Sequence, residues 1–140
     1  MYDTILLPTD GSEAAVDAAR HAFGLAEQYD ATVHVLSVVE LSGSLDIGDR
    51  DTERIERRKT ERAAAAEAVV DAVAHEGVTV ETAVEAGSPA RVITEYAARV
   101  QADLTVMSTH ARSGAGRVLF GSITEEVIQD GDVPVLAVQR

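Results

Sequence analysis

Short apolar runs bounded by turn residues alternate with segments whose apolar residues recur at helical spacing, and this alternation runs the length of the chain. Tyr2 to Leu7 and Thr32 to Val39 read as strands, and between them Ala15, Ala18, Ala19, Ala22, Phe23 and Ala26 share one helical face in a segment from Ser12 to about Tyr29. A second helix is expected from Asp49 or Asp51 to His75, after a loop at 41–48, with Ile55, Ala63, Ala66, Val69, Val70 and Val73 as its buried stripe and Gly77 as its stop. Val78 to Val84 alternates enough to suit a strand near a sheet edge. Ser88-Pro89 reads as the cap and first residue of a third helix, followed by the strand Leu104 to Met107, a helix from Ser122 to about Gln129, and the strand Val133 to Val138. Pro134 favours an edge position for that last strand. Five strands alternating with four helices call for right-handed crossovers, hence a mostly parallel sheet in a three-layer α/β/α fold.

At 140 residues and 46% hydrophobic content the chain suits one domain spanning 1–140. It has no run approaching the roughly 20 apolar residues that span a bilayer, so a cytoplasmic location is expected. It has no cysteine, and His21, His34, His75 and His110 lack metal-ligand spacing, so no structural metal is expected. The net charge of −12 disfavours nucleic acid and anionic membrane as partners, and with a single lysine, Lys59, it suggests a halophilic origin, the alternative being an ordinary acidic cytosolic protein. Six of the 12 basic residues crowd into Asp49 to Arg62, leaving a net charge of −13 elsewhere. Charge pairs at helical spacing there fit a solvated helix turn, the alternative being a partner contact.

In parallel sheets, ligands bind at the carboxyl ends of strands, where the strand order reverses. Two strand ends carry suggestive residues: Pro8-Thr9-Asp10-Gly11-Ser12, and the stretch from Ser108 to Ser122. The second puts a small-residue loop and a helix start just past a strand, where backbone N–H groups can collect phosphate oxygens, and so points to a nucleotide site. Asp10 suits either a turn-and-cap role or acceptance of hydrogen bonds from a ribose or adenine, and Ser12 reads first as an N-cap. Ser122-Ile123-Thr124-Glu125 matches a capping box. Gly121 would allow close approach of a phosphate or a positive φ. Arg112 and Arg117 suit either phosphate contacts or solvent, and His110 either a base contact or no role. A phosphate-bound Mg²⁺ between Asp10 and Asp103 depends on their geometry.

No Gly-x-x-x-x-Gly-Lys-Ser/Thr loop is present, so fast phosphoryl transfer lacks its central cation. No Gly-x-Ser-x-Gly elbow or nucleophilic cysteine supports a common hydrolase design.

The opening ILLPTDGS, the GSPAR segment at Gly87–Arg91, the STHARSG loop, the GSITEEV helix start and the closing DVPVLAV together resemble the universal stress protein family over essentially the whole chain. The resemblance implies a Rossmann-like five-stranded sheet of order 3-2-1-4-5 and a homodimer paired through the last strand, Val133 to Val138. It implies ATP or a related adenine nucleotide, with or without Mg²⁺, as a regulatory ligand in a stress response, with little or no hydrolysis. The phosphate-wrapping pattern of the family falls on Ser108, Ala111, Gly121 and Ser122, so two of its glycines are replaced here. Pro8, Thr9 and Asp10 would line the adenosine pocket with Val38 or Val39, while Met107 and Ile123 flank the phosphate segment. The alternatives are a nucleotide-independent dimeric interaction module of the same fold and a metal-assisted hydrolase using Asp10 and His110.

Overall fold

In the computed structural model, residues 1–41, 49–109 and 119–139 are described. Within them the chain runs β1 (Thr4–Pro8), α1 (Glu13–Tyr29), β2 (Thr32–Glu40), α2 (Asp49–Asp71), β3 (Thr79–Gly87), α3 (Pro89–Arg99), β4 (Leu104–Ser108), α4 (Leu119–Asp130) and β5 (Val135–Val138). All pairings are parallel and the order is β3-β2-β1-β4-β5, the three-layer arrangement expected from the alternation. Among the described residues no helix is long and apolar enough to cross a membrane.

The central strands β1 and β4 are buried nearly throughout because both of their faces are covered. Ile5 and Leu7 of β1 pack with Val33, Val35, Leu104 and Val106 beneath α1 and α2, whereas Leu6 faces the opposite core with Leu36, Met107, Ile93 and Val127 beneath α3 and α4. Small side chains let α1 settle close to the sheet: Ala14, Ala15, Ala18, Ala19, Ala22 and Ala26 are all buried beside Phe23. The Ser12 hydroxyl caps this helix by accepting from the Ala15 N–H, and Asp30 ends it in the left-handed region at φ 57°. β3, at the sheet edge, is only partly buried, as its alternation implies.

Three local expectations are corrected. α2 stops at Asp71 rather than His75, although Val73 remains buried from the turn that follows, so the apolar period outlasts the helix. Ile55 and Ala63 are only partly buried, which confines the buried stripe to the carboxyl half of α2. Pro89 does open α3, but the Ser88 side chain makes no capping hydrogen bond; its carbonyl accepts from Val92 instead.

Candidate functional site

The strands end at different heights. Pro8, the last residue of β1, pairs with Leu36, yet β2 continues to Glu40 and β3 runs with it to Gly87. β1 and β4 are neighbours, so the Pro8–Ser12 turn and the end of β4 lie at the same carboxyl edge, beside a step formed by the longer β2 and β3. The strand order reverses between β1 and β4, which is where parallel α/β sheets take their ligands.

Side chains wrapped onto the backbone build the floor of this notch. The Thr9 N–H donates to the Leu36 carbonyl at 2.8 Å, and the Thr9 hydroxyl accepts from the Gly11 N–H at 3.1 Å. Asp10 Oδ1 accepts from the Ser12 N–H at 2.9 Å. Gly11 holds φ +80°, and a Cβ there would stand 3.1 Å from the Cβ of Ala65 on α2, so glycine is required by conformation and space together. Asp10 thus performs the turn role while its side chain stays partly exposed at the notch.

On the β4 side, Ser108 is buried and its carbonyl accepts from the Thr124 hydroxyl at 3.3 Å, tying α4 to the end of β4. The Thr109 N–H donates to the Val138 carbonyl at 3.0 Å. α4 begins at Leu119, so Ser122 is its fourth residue and not its cap, and the capping box expected at Ser122 and Glu125 is overturned. Gly121 has no positive φ, and a Cβ there would make only ordinary contact, 3.5 Å from the Thr109 carbonyl oxygen. Both residues still fall within the first four of the helix. Thr124 is the contact the sequence reading missed: it passed for a spacer in the capping motif, and its place three residues past Gly121 was the available signal.

Of the other candidates, Val39 and Met107 have no exposed surface, whereas Val38 and Ile123 are partly exposed. Ser108 adopts no positive φ, so the serine in place of a family glycine is not strained. His110, Ala111, Arg112 and Arg117 lie outside the described residues. The Asp10–Asp103 pair is excluded as a metal site: Asp103 Oδ2 accepts from the N–H groups of Asp3 and Thr4 at 2.8 and 3.0 Å, at the amino ends of β1 and β4, across the sheet from Asp10. No group of three potential ligands able to hold a metal occurs among the described residues.

The resolved shifts in acidity lie away from the notch. Burial pushes the Tyr96 phenol up, partly opposed by the Arg99 guanidinium 4.9 Å from its ring. The hydrogen bonds from Arg99 to Glu85, at 3.2 and 3.3 Å, hold that guanidinium more firmly protonated. A cleft of about 360 Å³ between Phe23, His75 and Val78, and another of about 160 Å³ between Thr94, Gln101 and Asp132, contain none of the candidate residues.

A parallel α/β/α sheet in the order β3-β2-β1-β4-β5, with a tied aspartate turn on one side of its reversal point and a helix start on the other, defines a Rossmann-like domain. Residues 1–139 match the Universal stress protein family, and the chain belongs to that family. It is 37% identical over 142 residues to a universal stress protein of Methanocaldococcus jannaschii, covering 100% of this chain and 84% of that protein. Among solved structures it is similar to the universal stress protein UspA from Lactobacillus plantarum, with TM-score 0.76, 25% identity and coverage of 98% and 97% of the two chains. A universal stress protein in complex with cAMP shares the fold at TM-score 0.66 and 24% identity, over 99% of this chain and 97% of that one.

Proposed function

We propose that this protein binds an adenine nucleotide, ATP with or without Mg²⁺, as a regulatory ligand in a stress response, with little or no hydrolysis. Pro8, Thr9, Asp10 and Val38 would border the adenosine, and the segment from Ser108 to Ile123 would surround the phosphates. The observation that carries this reading is the stepped notch at the β1–β4 reversal, where the Asp10 turn and the first turn of α4 share one edge. The cAMP complex supports it to the extent that the same fold accommodates an adenine nucleotide. The protein would act as a homodimer paired through residues 133–138, where the edge strand β5 leaves Leu136 exposed.

Isothermal titration with ATP and Mg²⁺ in molar KCl is expected to yield saturable heat. Its absence at millimolar nucleotide, with the protein folded and dimeric, would overturn the assignment. It would favour instead a dimeric interaction module that works without nucleotide, the reading motivated by Ser108 and Ala111 in place of two family glycines.

A further inference from the structure

Two kinds of contact hold α4 to the sheet. Val127 is buried in one cluster with Leu6, Ile93 and Met107, and the partly buried Ile123 packs against the same cluster. Apolar contact of this sort is non-directional, so it seats the helix on the sheet more firmly than it sets the helix's height or rotation. The bond from Thr124 is directional: its hydroxyl donates to the Ser108 carbonyl at 3.3 Å, between residues only 3% and 4% exposed. A threonine hydroxyl inside a helix can return to a carbonyl one turn back in its own helix, and here it reaches the strand end instead.

Joining two parallel strands, α4 runs antiparallel to β4 and β5, so its first turn stands at the carboxyl edge beside the end of β4. Thr124 lies three residues past Gly121, on the same side of the helix, and the backbone at Gly121 comes so near β4 that a Cβ there would stand 3.5 Å from the Thr109 carbonyl oxygen. Thr109 is itself anchored, its N–H and its hydroxyl both donating to the Val138 carbonyl, at 3.0 and 3.4 Å. β5 therefore fixes the end of β4, and Thr124 fixes the start of α4 to that same end. Buried as it is, Thr124 acts through the backbone it holds and not by touching a ligand.

We propose that Thr124 is a positioning residue for phosphate binding: its hydroxyl sets the first turn of α4 against the end of β4, so that a phosphate chain meets both in one fixed arrangement. The proposal rests on the nucleotide reading and deepens it, because it divides the site. The phosphate half depends on the tie between α4 and β4, whereas the adenosine half, bordered by Pro8, Thr9, Asp10 and Val38, is built on β1 and β2 and does not. A pre-set arrangement spares the ligand the cost of ordering the site on binding.

The test is titration of the full chain with ATP and with adenosine, the probe that lacks phosphates, using Thr124→Val, Thr124→Ser and Val127→Ala. Each variant is checked for a native circular dichroism spectrum and for stability in urea, with Thr124→Ala taking the place of the valine variant if that one does not fold. Thr124→Val is expected to weaken ATP by about tenfold, equivalent to about 1.4 kcal/mol, and to leave adenosine affinity unchanged. Thr124→Ser keeps the hydroxyl and should hold the ATP:adenosine affinity ratio of the wild type. Val127→Ala removes buried packing from the same helix and should lower stability while holding that ratio too. A ratio untouched by Thr124→Val, a serine variant as weak as the valine one, or an equal fall in Val127→Ala overturns the positioning role and leaves nucleotide binding standing. Wild-type protein that binds neither ATP nor adenosine overturns both.

Discussion

The two edges of the sheet use the same kinds of group to opposite ends. At the amino edge Asp103 takes the N–H groups of Asp3 and Thr4, its own N–H donates to the Thr4 carbonyl, and Thr32 donates to the Asp3 carbonyl, so polar groups there are matched to one another. At the carboxyl edge β1 stops four residues short of the end of β2; the Thr9 N–H still reaches the Leu36 carbonyl, but the side chains of Thr9, Asp10 and Ser12 close only their own turn and helix cap. An aspartate therefore serves as a structural clamp at one edge and at the other shapes a surface that stays accessible. Position relative to strand direction, more than residue type, separates the two roles.

Four substitutions probe this contrast, in falling order of their effect on stability. Gly11→Val adds a β-branched side chain at φ +80° against Ala65, and is expected to destabilise by about 2–4 kcal/mol through left-handed strain and overpacking. Thermal denaturation should show the loss, and ATP binding should go with it. Asp103→Ala removes the acceptor of two N–H groups and is expected to lower unfolding free energy by about 1–2 kcal/mol in urea titration. Nucleotide affinity should not change, and a matching loss of binding would break the distinction between the edges. Thr124→Val deletes the buried hydroxyl that bonds the Ser108 carbonyl, with an expected cost of about 1 kcal/mol. Hydrogen exchange should show faster opening at the start of α4 than at α3. Asp10→Ala loses one turn bond, about 0.5–1 kcal/mol in the same urea titration. Its larger effect should appear in calorimetry, as ATP binding weakened by about tenfold or more.

The fold was legible where pattern and burial coincide. Ile5–Leu7 and Leu104–Met107 are buried throughout, Thr105 included, because helices cover both faces, and the alternation in β3 reflects its edge position. Asp10-Gly11-Ser12 announced its turn, since the glycine, the carboxylate and the capping hydroxyl act within a few residues of each other. The start of α4 was misread because it depends on distant partners: Thr124 bonds the end of β4 and Gly121 passes close to the Thr109 carbonyl, so a motif that would cap an isolated helix lies inside this one. Asp103 stayed open for the same reason, its partners being about a hundred residues away in the chain. The basic residues of α2 read as a solvated face because their window is nearly neutral, and Arg54 and Arg57 are exposed there while Arg58, Lys59 and Arg62 are partly buried.

The most direct test is amide resonance mapping of the ¹⁵N-labelled protein during titration with ATP. Shifts are expected at Thr9, Asp10, Gly11, Gly121 and Ser122, with Asp3, Thr4 and Asp103 unmoved. Saturable shifts centred on the amino edge, or none at the carboxyl edge at millimolar ATP, would contradict a nucleotide site at the β1–β4 reversal.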